Sequence, residues 1–353
     1  MKSIILLSPF RLRLLPLGLV FILLFVSALQ AQTRLRGAMV NPTPSASDIA
    51  ALGQMGANLA RWQLTVVDPA QRDSMTLTQY QSWINTQLVQ IDRQLPLFQK
   101  AGMQVVIDLH TPPGGFSGLG AYPVYRMFHT TWAESCFIDV WKVLTKRYKG
   151  NTTIFGFDIL NEPCTGDKSY TAKWRSIALR TAQAINAIDG TRRIIVETPY
   201  GSAQRFSELN AINVPNVIYS FHMYQPVHFT HQGTSATLPL GVSFPGYIGR
   251  TYYDINYLRK WLQPVVDFQQ ANRARIYVGE FNAVCYAPGN GALNYLNALT
   301  QIFEEKGWNW TYHAFREWSG WSIEHEGTSP NDIRPVNNSS REQLMRRLFA
   351  RNP

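Results

Sequence analysis

Eight short apolar runs recur along this chain, and longer stretches with helical spacing lie between them. The runs cover residues 35–40, 57–62, 104–110, 154–161, 193–198, 217–224, 275–281 and 308–315. Apolar runs of this length read as buried strands, and their alternation with helical segments is the pattern of parallel βα units. Helical spacing is clear in Phe137, Val140, Trp141, Leu144 and Tyr148, and again in Trp174, Ile177, Ala178, Thr181, Ile185 and Ile188. Such stripes bury one helix face and carry no chemistry. Eight units predict an α/β fold, a single-domain (β/α)8 TIM barrel. The competing architecture is an open doubly wound sheet. Against it, Asn41, Pro42 and Thr43 follow the first strand where a nucleotide-binding sheet carries a glycine-rich turn. Pro and Gly cluster only in connections, chiefly 111–120 and 225–249, and no linker divides the chain.

The amino terminus has a different character. Lys2, Arg11 and Arg13 precede an apolar segment, 14–29, that closes on the small residues Ser27, Ala28 and Ala31, the layout of a secretory signal peptide. Residues 1–31 are expected to be that peptide, cut after Ala28 or Ala31, leaving 32–353 as the barrel. An uncleaved anchor is the alternative, since the segment approaches the roughly 20 residues that span a bilayer. Pro16 and the Ala-rich exit favour cleavage. The expected location is therefore secreted or periplasmic, with no stable membrane association after cleavage. The three cysteines, Cys136, Cys164 and Cys285, allow at most one internal bridge, fit no zinc spacing, and read as small buried apolar residues. The net charge of +10 contains no run of five like charges, which argues for a basic surface and against nucleic acid as a partner.

In a barrel the residues closing each strand line one shared mouth. Here they are polar: Arg61 and Trp62 on the second strand, Asp108 and His110 on the third, Asn161 and Glu162 on the fourth. His222 and Tyr224 close the sixth, and Glu280 the seventh. Five separate strands thus deliver ionisable groups to one end. Glycoside hydrolysis needs a pair of carboxyl groups, one to protonate the leaving oxygen and one on the opposite face of the sugar. Glu162 and Glu280 are the candidates. A gap of roughly 5 Å makes such an enzyme retaining, and one of about 6.5 to 9.5 Å leaves room for an attacking water.

The run Phe157, Asp158, Ile159, Leu160, Asn161, Glu162, Pro163 resembles the strand-four motif of family 5 glycoside hydrolases, the cellulase-like members of a retaining, two-glutamate clan. The resemblance continues in order through Gly56 to Arg61, Leu109 and His110, His222 to Tyr224, and Gly279 to Phe281. It implies Glu162 as general acid and base, Glu280 as nucleophile, and Asn161 as the partner of the sugar 2-hydroxyl. Arg61 and Tyr224 are implied to bond Glu280, and His110 and His222 to line the same subsite. One position departs: His313 stands where the family presents a Trp platform at the end of strand eight, with Trp318 and Trp321 following. Trp318 is expected to fold back over the cleft as the substitute. The loop 225–253, carrying Phe229, Phe244, Tyr247, Tyr252 and Tyr253, is expected to wall part of the cleft.

The expected function is a secreted retaining glycoside hydrolase acting on β-linked glycans, an endo-β-1,4-glucanase first, with a β-mannanase or other β-glycanase as alternative. No cofactor or metal is implied; the partner is a polysaccharide or oligosaccharide and the chain is expected to be a monomer. A metal-dependent hydrolase is one rival, but neither an H-x-H nor an H-E-x-x-H spacing is present. A non-catalytic carbohydrate-binding barrel is the other, and it would be expected to lose the two carboxylates that this chain keeps.

Overall fold

All eight expected strands are present in the computed structural model, which describes residues 34–118, 123–166 and 168–353. The expected signal segment, 1–31, lies outside the described residues. The strands are β1 (Arg36–Val40), β2 (Leu59–Leu64), β3 (Gln104–Leu109), β4 (Ile154–Asp158), β5 (Arg193–Ser202), β6 (Val217–Met223), β7 (Arg275–Phe281) and β8 (Asn309–Phe315). They close into a barrel in the order β1-β8-β7-β6-β5-β4-β3-β2, and every pairing is parallel.

Helices pack outside through the faces that the spacing marked. Phe137, Val140, Trp141 and Leu144 are buried on helix Thr131–Arg147, and Trp174, Ile177, Ala178, Thr181 and Ile185 on helix Lys168–Ile188. Two of these indoles also reach the strand ends. The Trp141 ring N–H donates to the Ile159 carbonyl and that of Trp174 to the Glu197 carbonyl, each at 3.0 Å. A buried indole needs an acceptor, so these bonds fix helix against strand close to the mouth.

Inside the barrel, side chains alternate between facing in and facing out. Leu35, Leu59, Val106, Phe155, Ile195, Ile218 and Tyr277 form a separate apolar cluster. Two residues further along their strands stand Arg61, Asp108, Glu197 and Ser220, all buried. The interior thus changes from apolar floor to polar mouth within one strand repeat, which sets a charged site on a packed base.

Two strand ends and one loop differ from the sequence reading in ways that matter for the site. β4 ends at Asp158, so Asn161 and Glu162 lie in a bend beyond the ladder, and Glu162 adopts φ +38°. β5 runs on to Ser202, through an irregularity between Glu197 and Ser202. The loop 225–253 divides its aromatics: Phe229 and Phe244 are core residues packed on Tyr295, whereas Tyr247 and Tyr252 stand exposed on a hairpin, Gly246–Ile248 with Thr251–Tyr253. The two phenylalanines therefore brace the loop and do not wall a cleft. Cys136, Cys164 and Cys285 are all buried and unbridged. Among the described residues no helix is long and apolar enough to cross a membrane.

Candidate active site

Arg61 is fully buried at the centre of the mouth, and all five of its N–H donors are used. Nε donates to Asp158 (3.1 Å), Nη1 to Glu280 Oε1 (2.7 Å) and the Met39 sulfur (3.4 Å), and Nη2 to Asn161 Oδ1 and Glu197 Oε1 (3.0 Å each). A further carboxyl, that of Asp108, lies 3.1 Å from Nη2. Burial works against this charge, but Asp108, Asp158, Glu280 and Glu197 together raise the guanidinium pKa well above its ordinary value. Asp158 is pushed well above the usual carboxylate range, by burial first and then by the charge of Glu197.

Glu280, at the end of β7, is the most heavily bonded of the two candidate carboxylates. Oε1 accepts from Arg61 and Oε2 from the Tyr224 hydroxyl at 2.9 Å, while His313 Nδ1 stands 3.1 Å and His222 Nδ1 3.7 Å from Oε2. Burial alone would raise its pKa. The charges of His222 and His313, the bond from His313 and the charge of Arg61 outweigh burial and hold it well below the ordinary carboxyl value. This group is built to be an anion.

Glu162 is held differently. Its side chain is partly exposed and its Oε1 meets His222 Nδ1 at 2.7 Å. Its backbone N–H donates to Glu197 Oε2 at 2.8 Å. A positive φ is uncommon outside glycine and costs energy, so the bond to a fully buried carboxylate pins a conformation the chain would otherwise leave. His222 lies between two glycines that make room for it: a Cβ on Gly279 would come within 2.8 Å of its Nε2, and one on Gly201 within 3.0 Å of its ring. Both ring nitrogens face carboxylates, Glu162 on one side and Glu197 on the other (3.0 Å), and despite burial its pKa is raised well above the ordinary value by Glu197 and Glu280.

One oxygen of Glu162, one of Glu280 and a His222 nitrogen lie within 4.8 Å of one another. Three such donors could hold a cation, yet each is already committed: His222 bonds carboxylates through both nitrogens, and Glu280 carries donors on both oxygens. Asn161 spends its amide oxygen on Arg61, which leaves donation as its remaining function. His110 is bonded through Nδ1 to Asp108 at 2.8 Å and is a quarter exposed.

The expected residues Arg61, Asn161, Glu162, His222, Tyr224 and Glu280 are thus one bonded cluster, and His110 joins it through Asp108. Trp318 is 38% exposed and meets Trp321 edge-on at 5.5 Å. Trp321 is buried and lies nearly parallel to His313, with ring centroids 6.0 Å apart. Two residues escaped the sequence reading. Glu197 was legible as the carboxyl that closes the apolar run Ile194, Ile195, Val196, and so as a sixth strand with a charged end. Glu317, which reaches His313 Nε2 at 3.1 Å, lies past β8 in a loop and gives no such signal.

Residues 26–319 match the family described as cellulase, glycosyl hydrolase family 5. Among curated relatives, Endoglucanase C of Acetivibrio thermocellus is 26% identical over 240 residues, which is 61% of this chain and 68% of that protein. Cellodextrinase A of Ruminococcus flavefaciens is 25% identical over 235 residues, 65% of this chain and 68% of the relative. Among solved structures, Thermotoga maritima Cel5A in complex with cellobiose superposes with a TM-score of 0.69 at 20% identity, over 90% of this chain and 98% of that one. The structural likeness carries the barrel fold.

Proposed function

Because the chain belongs to glycosyl hydrolase family 5, the cellulase family, we propose that it is a retaining endo-β-1,4-glucanase in which Glu280 is the nucleophile and Glu162 the acid and base. The observation that supports this assignment most is that an oxygen of Glu162 and an oxygen of Glu280 lie within 4.8 Å of each other, a close approach that suits the roughly 5 Å of a direct-attack pair better than the about 6.5 Å or more of a pair with a water between.

In the first step Glu280 attacks the anomeric carbon while the glycosidic C–O bond breaks, and Glu162 gives its proton to the departing oxygen. In the second, Glu162 takes a proton from water, the water oxygen bonds the anomeric carbon, and Glu280 leaves as a carboxylate. The division of labour follows from the surroundings. Glu280 is kept anionic by buried cations, whereas Glu162 stands partly open to solvent, from which protons arrive. Asn161, oriented by Arg61, donates to the sugar 2-hydroxyl, and His110 and His222 flank the same sugar.

The choice of β-1,4-glucan rests on the names of the relatives, and export on the basic start, apolar core and small-residue exit of residues 1–31. Incubating the protein with soluble cellulose derivative, mannan, xylan and mixed-linkage glucan and assaying new reducing ends tests the reading. Release from cellulose derivative first supports it. Faster release from mannan or xylan would move the substrate assignment, and no release from any would return the barrel to carbohydrate binding alone.

A further inference from the structure

At the place where the first-noted resemblance leads one to expect an indole, this chain presents an imidazole with both nitrogens occupied. His313 Nδ1 lies 2.6 Å from the Tyr224 hydroxyl and 3.1 Å from Glu280 Oε2, and its Nε2 lies 3.1 Å from Glu317 Oε2. We propose that His313 is a permanently charged positioning residue for Glu280, an imidazolium that Glu317 keeps protonated and aimed. The proposal rests on Glu280 being the nucleophile only for its catalytic consequence.

Counting hydrogens carries the inference. The Tyr224 hydroxyl has one proton and faces two partners, Glu280 Oε2 at 2.9 Å and His313 Nδ1 at 2.6 Å. If that proton went to an unprotonated Nδ1, Tyr224 would meet Oε2 with a lone pair, and Nδ1 would do the same at 3.1 Å. Two acceptor–acceptor contacts would then surround a buried carboxylate. With a proton on Nδ1 both contacts become donations to oxygen, and Tyr224 is free to donate to Glu280. On the far side Nε2 faces a carboxylate, which can only accept when ionised. Both nitrogens therefore carry hydrogen.

The neighbours agree. The titratable and charged groups about the ring are Tyr224 and His231 from the segment after β6, Glu280 from β7, Glu317 from the loop after β8, and, through Glu280, Arg61 and His222. Burial would lower the imidazole pKa, but Glu280 and Glu317 push it up to about 10. Glu317 is held below its ordinary value: burial opposes this, and the bond and charge from His313 and a bond from Gln63 prevail. His231 is the converse, lowered to about 4 by burial and then by the charge on His313. Trp321, nearly parallel to the imidazolium, adds an aromatic face to the cation.

If Glu317 loses its charge, the imidazole loses the partner on Nε2 and can release its proton near neutral pH. The proton given up is the one on Nε2, so Nδ1 still donates to Glu280, but as a neutral imidazole, and Glu280 loses the cation beside it. Glu317→Gln in the full chain tests this by two independent readings. Ring-nitrogen chemical shifts, resolvable among seven histidines and assigned with His313→Asn, should show a doubly protonated His313 at about pH 8 in the unaltered protein and a neutral one in Glu317→Gln. The second reading is kcat/KM for a dinitrophenyl glycoside, whose leaving group needs no acid, so that Glu162 drops out of the profile. It should stay level from about pH 6 to 9 in the unaltered protein and fall about tenfold across that range in Glu317→Gln. His313→Asn, which cannot titrate, should be low throughout with no alkaline limb. A neutral His313 in the unaltered protein at about pH 8, or superimposable profiles for it and Glu317→Gln, would overturn the proposal. A charged His313 in a protein whose nucleophile proves to lie elsewhere would leave this charge state standing and refute the reading of Glu280 instead.

Discussion

The backbone N–H of Glu162 donates to the buried carboxylate of Glu197 at 2.8 Å, and the other oxygen of Glu197 bonds both Arg61 and His222 at 3.0 Å. One side chain on β5 thereby sets the position of Glu162, of the arginine on Glu280 and of the histidine between the two carboxylates. Glu197 touches no reacting atom, yet the distance between the two candidate catalytic groups depends on it.

Replacing Glu197 with Gln keeps the shape and removes the charge. Arg61 and His222 then lose a buried counter-ion, a loss that typically costs about 3 to 5 kcal/mol of stability. Misplacing Glu162 should lower kcat about a hundredfold. Thermal melting and kcat on soluble cellulose derivative, measured side by side, check both. A variant with unaltered kcat would show that Glu197 serves the fold alone.

The architecture was legible because period and order are written in the chain: eight apolar runs became eight strands, and the two helix stripes were buried as spaced. Charged strand ends were legible for the same reason, since the barrel gives every strand end one destination. Loops obey no such rule. Phe229 and Phe244 looked like cleft aromatics and are core, because only tertiary packing on Tyr295 decides which face of an irregular segment is inside. Glu317 could not be assigned, since its role depends on a chain reversal after β8 that returns it to His313. The strand-eight departure was visible as a missing indole, but its meaning lies in distances to Tyr224 and Glu280.

On the proposed assignment, Glu162→Gln removes the acid and spares the nucleophile. Hydrolysis of polymer should nearly cease, while the first step on a dinitrophenyl glycoside should proceed, because its leaving group needs no proton. Added azide should restore turnover and give a β-configured glycosyl azide. Polymer hydrolysis at the unaltered rate would remove Glu162 from the role.

The depressed pKa of Glu280 fixes the sign of an acid-pH effect. Burial opposes ionisation, but the cations around Glu280 prevail, so its folded-state value lies below the ordinary 4.5. The stability this contributes is present above the unfolded value and is lost as pH falls through the folded one. Glu280 therefore stays ionised from neutral pH down to about 4.5, and, if it is the nucleophile, kcat/KM on a dinitrophenyl glycoside should change less than about twofold over that range. A half-maximal point near pH 6 would contradict this placement of the charge.

Trp318 is more than a third exposed and leans on Trp321, so truncating it should leave folding nearly intact. If it forms the sugar platform, Trp318→Ala should weaken transition-state binding by about 1 to 3 kcal/mol, read from kcat/KM on a soluble glucan. Unchanged kcat/KM would leave the floor of the subsite to His313.

The most direct test of the two-carboxylate reading is covalent capture. A 2-deoxy-2-fluoro cellobioside with an activated leaving group should inactivate the enzyme by one fluorosugar per chain, since the fluorine slows release of the intermediate more than its formation. Peptide mapping by mass spectrometry should place that sugar on Glu280. A label on any other residue, or no label together with a first-formed product of inverted configuration, would contradict a retaining mechanism centred on Glu280.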